Sequence, residues 1–208
     1  MLFRAYAIYK SLEGAFPKSE GKNLFAVCRL LARKNARTRK LAFGGVCTLT
    51  RTKSFALPNG ESVTVPERIY FREAAEERLA SLTAEQKAIY HCIFSRSHDG
   101  YARERHVRAL SAENIPDFAL PYIVYSGGDY VMEIVAAALA LARGEERTRL
   151  RGFCALNIKN VQSCHSRMMS YYREYYRDIC PDYGSYAGKA LFEECFGFYK
   201  TGQKEIRL

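Results

Sequence analysis

A chain of 208 residues with 48% hydrophobic and 26% charged residues has the composition of an ordinary globular protein. Its longest uncharged apolar run is far shorter than the ~18 residues that a membrane span requires, and its N-terminus lacks the pattern of a secretory signal. The net charge is +10, and residues 1–53 account for all of it, with twelve Lys or Arg against two Glu. This asymmetry predicts a polyanionic partner, and we expect a cytoplasmic protein that contacts nucleic acid or a nucleic-acid-binding protein rather than a membrane.

Two helices are predicted before residue 45. The first covers residues 1–14 and has an apolar stripe at helical spacing, formed by Leu2, Phe3, Tyr6, Tyr9 and Leu12. The second follows a break at Phe16-Pro17 and continues through Ala36. Its predicted apolar face consists of Leu24, Val27, Cys28 and Leu31.

The second helix becomes basic towards its end, and the basic run continues beyond it. The cluster consists of Arg29, Arg33, Lys34, Arg37, Arg39 and Lys40, and Arg51 and Lys53 follow in the next segment. Arg29, Arg33 and Arg37 are spaced to share one helical face. Such a stripe can track phosphates, and binding of this kind depends on salt because counterions are released. The alternative is a solvated face that keeps the protein in solution.

Residues 46–66 change to the alternating pattern of β-strands. Pro58-Asn59-Gly60 separates two alternating runs, and Asn-Gly is a strong signal for a two-residue hairpin turn of type I′. We predict an antiparallel hairpin here and a helical body over residues 67–208, which includes a charged helix over 67–82. Thr83 and Gln86 form the sequence of a capping box at the start of the next helix. The predicted fold class is therefore mainly α with one inserted hairpin, in a single domain.

Two stretches 29 residues apart share five residue types. The pairs are Ser97 and Ser126, Tyr101 and Tyr130, Glu104 and Glu133, Ala109 and Ala138, and Leu110 and Leu139. The first stretch, with Asp99-Gly100-Tyr101-Ala102-Arg103 before Val107, Ala109 and Leu110, resembles the second helix of a HEAT-like repeat. The second stretch departs from that pattern because Met132 replaces Arg103. The resemblance implies stacked helical units over residues 95–142, whereas the alternative is two unrelated amphipathic helices.

A long helix over residues 157–179 is predicted to bury Val161, Cys164, Met168, Tyr172, Tyr175 and Ile179 on one face. Its end alternates tyrosines with Arg173 and Arg177. Tyrosine and arginine faces can stack on unpaired bases, and both types also dominate protein–protein hot spots. Packing, a protein interface and nucleic-acid stacking all remain open for this run.

The seven cysteines are scattered without a C-x-x-C pair, so structural thiols are favoured over a metal site or a reactive cysteine. No catalytic motif is recognisable, and we predict no cofactor, no metal and no catalytic residue. The leading hypothesis is a non-enzymatic protein that binds nucleic acid through its basic N-terminal quarter. One alternative is a small inhibitor of a nucleic-acid enzyme, similar to anti-CRISPR proteins, and another is an enzyme with Cys/His chemistry.

Overall fold

The computed structural model describes residues 2–34, 51–110, 115–144 and 147–199. The chain divides into two compact units, Met1–His106 and Val107–Leu208, which we call the N-terminal and C-terminal units. The described residues are mainly helical and contain one two-stranded antiparallel sheet, so the predicted fold class is confirmed. No helix in these ranges is both long and apolar enough to cross a membrane.

The N-terminal unit begins with two helices that pack against each other. Its α-helices are α1 (Leu2–Leu12), α2 (Gly21–Lys34), α3 (Glu76–Leu79), α4 (Ala84–Phe94) and α5 (Gly100–Arg108), the last of which crosses the boundary between the units. The predicted apolar face of α2 is confirmed, since Leu24, Val27, Cys28 and Leu31 are all buried.

The predicted stripe of α1 is correct at Leu12 and wrong at Leu2, Phe3 and Tyr6, which are exposed. Ala5, Ile8 and Leu12 are buried, whereas Leu2 and Phe3 are 67% and 79% exposed. The sequence offers two apolar stripes on this helix. Ala5, Ile8 and Leu12 form the stripe that faces inward.

The hairpin consists of β1 (Thr52–Ala56) and β2 (Ser62–Pro66), with Phe55 opposite Val63. Its loop differs from the predicted two-residue turn. Gly60 N donates to Leu57 O at 3.0 Å, so Pro58 and Asn59 are the central residues and Gly60 follows with φ 84°. The proline ring favours this arrangement because its fixed φ suits the first central position of a turn. The predicted strand residues 46–50 lie outside the described residues.

The predicted helix over residues 67–82 is also wrong, because residues 67–75 are not helical and only Glu76–Leu79 forms an α-helix. Ile69 N donates to Arg96 O at 2.8 Å, and His98 N donates to Ile69 O at 3.0 Å. These bonds fix a period of two, in which Ile69 and Phe71 are buried while Tyr70 is exposed. The capping box of α4 is confirmed, with Gln86 N donating to Thr83 Oγ1 at 3.3 Å.

The C-terminal unit is built around a short central helix. Its α-helices are α6 (Leu120–Ser126), α7 (Met132–Ala142), α8 (Arg147–Leu156), α9 (Ile158–Tyr171) and α10 (Ala187–Ala190). Every residue of α6 is buried, and α6 contacts α7, α8 and α9. The uninterrupted apolar sequence of this helix follows from its central position.

The predicted long helix over residues 157–179 is replaced by α9 and a π-helical turn, Tyr172–Tyr176. The wider turn changes which tyrosines face inward. Tyr172 is buried as predicted, but Tyr175 is 57% exposed and Ile179 is 73% exposed. Tyr176 takes the inward position instead, since its hydroxyl donates to Tyr130 O at 2.7 Å.

The two similar stretches both form a polar turn followed by a helix, α5 in one case and α7 in the other. Asp99 Oδ1 accepts from Tyr101 N at 3.0 Å, and Asp129 Oδ1 accepts from Val131 N at 3.2 Å. An aspartate therefore closes each turn, as its side chain does in many turns that precede helices.

Candidate functional site

The exposed face of α2 carries two arginines one helical turn apart. Arg29 and Arg33 are both exposed and lie opposite the apolar face that packs into the N-terminal unit. They border a surface groove of about 180 Å³, which is lined by Ala26, Arg29, Leu30, Arg33, Ser81 and Leu82. Because α2 is held by its buried face, the two guanidinium groups project from a fixed support.

No acidic side chain in the described part of the chain pairs with Arg29 or Arg33. Other basic residues of the same unit are engaged. Lys10, for example, bonds Glu13 at 2.6 Å, which raises the pKa of Lys10. The α2 face is therefore a site of positive charge with a polar serine and apolar walls beside it, an arrangement that suits an anionic group.

The remaining predicted basic residues fall in three places. Lys34 ends the described part of α2, and Arg37, Arg39 and Lys40 lie outside the described residues. Arg51 is exposed just before β1, and Lys53 is half-buried within it, opposite Val65. The structure thus brings Arg29 and Arg33 together and places Arg51 and Lys53 on the hairpin.

Arg173 and Arg177 belong to the C-terminal unit, where both are exposed on the π-helical turn or next to it. Arg177 Nε lies 3.8 Å from Asp178 Oδ1, a solvent-exposed ion pair that contributes little. Among the adjacent tyrosines, Tyr172 and Tyr176 are used for packing and hydrogen bonds. The alternation of tyrosine and arginine is therefore partly structural.

Charge differs sharply between the two units. Residues 1–106 contain 19 Lys or Arg against 10 Asp or Glu, a net charge of +9. Residues 107–208 contain 13 against 12, a net charge of +1. The positive potential of the protein therefore originates in the unit that contains the α2 face.

Sequence reasoning missed a chain of hydrogen bonds between ionisable groups in the N-terminal unit. His91 Nδ1 lies 2.8 Å from His106 Nδ1, and His106 Nε2 lies 2.9 Å from Glu73 Oε2. Arg105 Nη2 completes the chain at 2.6 Å from Glu73 Oε1. These residues come from α4, α5 and the segment before α3, and no sequence spacing connects them.

Burial opposes protonation of both imidazoles. It lowers the pKa of His91 to about 4, helped by the charges of His106 and Lys87, and it lowers the pKa of His106 despite the bond to Glu73. The pair can hold one proton between the two Nδ1 atoms, but two imidazolium ions would bring two N–H groups face to face. The described residues contain no group of three or more His, Cys, Asp or Glu side chains placed to hold a metal ion.

Five of the six described cysteines are buried, and burial raises the pKa of the Cys28, Cys92 and Cys154 thiols. A thiol whose ionisation is opposed in this way is a poor nucleophile. Cys92 follows His91 in the sequence but packs in the core, so that pair does not form a nucleophile beside a base. Cys180 is the half-exposed member of the described set, and Cys180 Sγ lies 3.2 Å from Ser185 Oγ.

Comparison of the chain with protein-family models, with curated proteins and with solved structures finds no match. The resemblance of residues 95–142 to HEAT-like repeats therefore stays a prediction. A fold does not by itself fix a function, so the function has to be argued from the site.

Proposed function

We propose that this protein is a non-enzymatic, cytoplasmic nucleic-acid-binding protein that contacts phosphates through the exposed face of α2. The observation that carries the proposal is the pair Arg29 and Arg33 at the rim of the groove, without acidic partners in the described residues. Arg37, Arg39 and Lys40 extend the same charge along the sequence.

Energetic reasoning supports this use of the surface. Like charges one turn apart on a helix destabilise it by a few tenths of a kcal/mol per pair. A phosphate placed between two guanidinium groups removes that repulsion and accepts charge-assisted hydrogen bonds. The groove has an open shape, which accommodates a backbone rather than an enclosed small molecule.

The alternatives make different predictions about free nucleic acid. An anti-CRISPR-like inhibitor that docks on a nucleic-acid enzyme binds its protein target but not free DNA or RNA. An enzyme with Cys/His chemistry loses its activity when the cysteines are replaced by serine. The nucleic-acid-binding proposal instead requires direct binding that weakens steeply as salt increases.

The test is fluorescence anisotropy with labelled DNA and RNA oligonucleotides, single-stranded and duplex, across a series of salt concentrations. We expect the double variant Arg29→Gln/Arg33→Gln to bind every one of these ligands roughly tenfold more weakly, or about 1.4 kcal/mol. The slope of log affinity against log salt should fall by about 2, because each lost phosphate contact reduces it by about 1. Thermal stability should stay level or rise slightly, since the repulsion is relieved.

The matched control is Arg173→Gln/Arg177→Gln, which removes the same charge from the C-terminal unit. Its affinity should stay within about twofold of the wild type, because the proposed phosphate contacts are made by α2. The net charge of the protein changes equally in both variants, so the comparison separates a local contact from a general charge effect. Equal losses in the two double variants would indicate a general charge effect and would contradict a site on α2. Failure of the wild-type protein to bind any of the oligonucleotides would refute the proposed function.

A further inference from the structure

A pair of exposed aromatic rings lies elsewhere in the N-terminal unit. The rings of Tyr70 and His98 are stacked, with centroids 5.1 Å apart and planes inclined by 19°. Backbone bonds between Ile69 and residues 96 and 98 hold the two segments side by side, so the stack rests on a paired support. Tyr70 is 46% exposed and His98 is exposed, so the outer ring surfaces face solvent.

Arginines flank Tyr70 on the same side of its segment. Ile69 forms a parallel β-bridge with Ser97, and alternate side chains of such a segment point in opposite directions. Because Ile69 and Phe71 are buried, Arg68 and Arg72 lie on the side of Tyr70. Arg72 is exposed there, whereas Arg68 is half-buried and its Nη1 donates to Glu67 O at 2.8 Å. At about 3.3 Å per residue, Tyr70 and Arg72 are about 6.6 Å apart along the segment.

Three residues after His98, Tyr101 adds a third exposed aromatic side chain at the start of α5, with 83% of it accessible. The nearby carboxylates are already engaged. Asp99 accepts from the backbone of Tyr101, and Glu73 accepts from Arg105 and His106. The surface therefore presents aromatic faces beside the exposed side chain of Arg72, while these two acids are occupied within the unit.

From this arrangement we infer that the Tyr70–His98 stack is a base-stacking surface, and that the ligand of this protein is single-stranded nucleic acid. The inference rests on the proposed function and adds the ligand class to it. Stacking on aromatic rings tolerates every base because each base has a flat face, but a base must leave a duplex before it can stack on a protein surface. The α2 face cannot make this distinction, because phosphates are present in both single strands and duplexes.

The two surfaces flank opposite ends of the same helix. Leu82, in the groove, precedes α4, whereas His98 follows it, and the 11 residues of α4 span about 16 Å. One strand that contacts both surfaces must be at least that long. We therefore expect a dinucleotide to bind at one surface only, and affinity to rise as the oligonucleotide lengthens beyond about four nucleotides.

The test compares Tyr70→Ala with Tyr70→Phe, which keeps the ring, in anisotropy titrations with a 20-nucleotide single strand and with a duplex of the same sequence. Loss of one stacked base should weaken single-strand binding by Tyr70→Ala roughly tenfold. Binding of the duplex should stay within about twofold, and Tyr70→Phe should bind both ligands as the wild type does. Thermal melts of both variants verify that they are folded.

A second readout follows stacking directly. A single strand that contains 2-aminopurine loses fluorescence when the base stacks, so saturating wild-type protein and Tyr70→Phe should quench it and Tyr70→Ala should quench it much less. Tyr175→Ala, which removes an equally exposed tyrosine from the C-terminal unit, is the matched control and should behave as the wild type.

Each failure has a distinct signature. Unchanged single-strand affinity of Tyr70→Ala, with weaker binding by Arg29→Gln/Arg33→Gln, would overturn the inference and leave the proposed function intact. An equal loss for single strand and duplex would also overturn it, because the surface would then read the backbone rather than bases. If the wild type binds neither ligand, the function and the inference fail together.

Discussion

The two units of the chain are similar in size and helix content but differ greatly in net charge. Each is about one hundred residues long and mainly helical, yet the N-terminal unit has a net charge of +9 and the C-terminal unit a net charge of +1. The C-terminal unit demonstrates that a helical unit of this size requires no excess charge. The surplus in the N-terminal unit is therefore unexplained by folding, which is why we assign it to a ligand.

A second contrast lies in the two similar turns. In the N-terminal unit, Arg103 is fully buried, and its Nη1 donates to Ser97 O at 3.0 Å and to His98 O at 3.1 Å. In the C-terminal unit, the counterpart of Arg103 is Met132, and the carbonyl of Ser126 accepts instead from Asp129 N at 3.0 Å. One turn is held by a side chain, and the other by its own backbone.

Replacement of Arg103 by methionine, the residue of the other unit, should have the largest effect. The carbonyls of Ser97 and His98 would lose this donor, and an unsatisfied buried acceptor costs roughly 1–3 kcal/mol. We expect the free energy of unfolding to fall by about 3 kcal/mol in urea denaturation. Arg105→Met is the control, since Arg105 is exposed and its ion pair with Glu73 contributes at most about 1 kcal/mol. Equal effects of the two substitutions would mean that the turn does not depend on the guanidinium.

Acid should affect the N-terminal unit through the bonded histidines. The pKa of His91 lies near 4, below its ordinary value of 6.5. Between these two pH values, His91 is protonated in the unfolded chain but neutral in the folded chain. The stability contribution is therefore present above about pH 6.5 and is lost as the pH falls towards 4. Burial is the main cause of the low pKa of His91, the charges of His106 and Lys87 lower it further, and the Glu73 carboxylate raises it.

We expect a loss of about 2 kcal/mol on going from pH 7.5 to pH 5 that is specific to His91. The measurement is urea unfolding of the wild type and of His91→Gln at both pH values. The glutamine variant has no imidazole at this position and should lose correspondingly less stability on acidification. Identical pH dependence in the two proteins would show that His91 is accessible to protons in the folded state.

The sequence predicted those elements whose determinants lie within a few residues of each other. The capping box at Thr83 is one example, and the apolar face of α2 is another. The non-helical segment 67–75 was missed because its period of two depends on backbone bonds to residues 96–98, which no local pattern encodes. The same holds for the candidate surfaces: Arg29 and Arg33 follow from helical spacing, whereas the stack of Tyr70 on His98 requires two segments that tertiary structure brings together.

The smallest predicted effect concerns the π-helical turn of the C-terminal unit. If α9 continued through this turn as a regular α-helix, Tyr175 would be buried. Tyr176 Oη donates to Tyr130 O at 2.7 Å and accepts from Met132 N at 3.1 Å, so it joins the end of α9 to the start of α7. Burial of this hydroxyl raises the pKa of Tyr176, as expected for a neutral group within hydrogen bonds.

Removal of the hydroxyl in Tyr176→Phe should lower the free energy of unfolding by about 1 kcal/mol, because two backbone groups lose their partner. Tyr175→Phe should cost almost nothing, since that side chain is more than half exposed. A larger loss of stability for Tyr175→Phe than for Tyr176→Phe in urea unfolding would mean that α9 continues as a regular helix. A larger loss of stability for Tyr176→Phe than for Tyr175→Phe would show that a tyrosine hydroxyl stabilises the turn before α7, whereas the buried guanidinium of Arg103 stabilises the turn before α5.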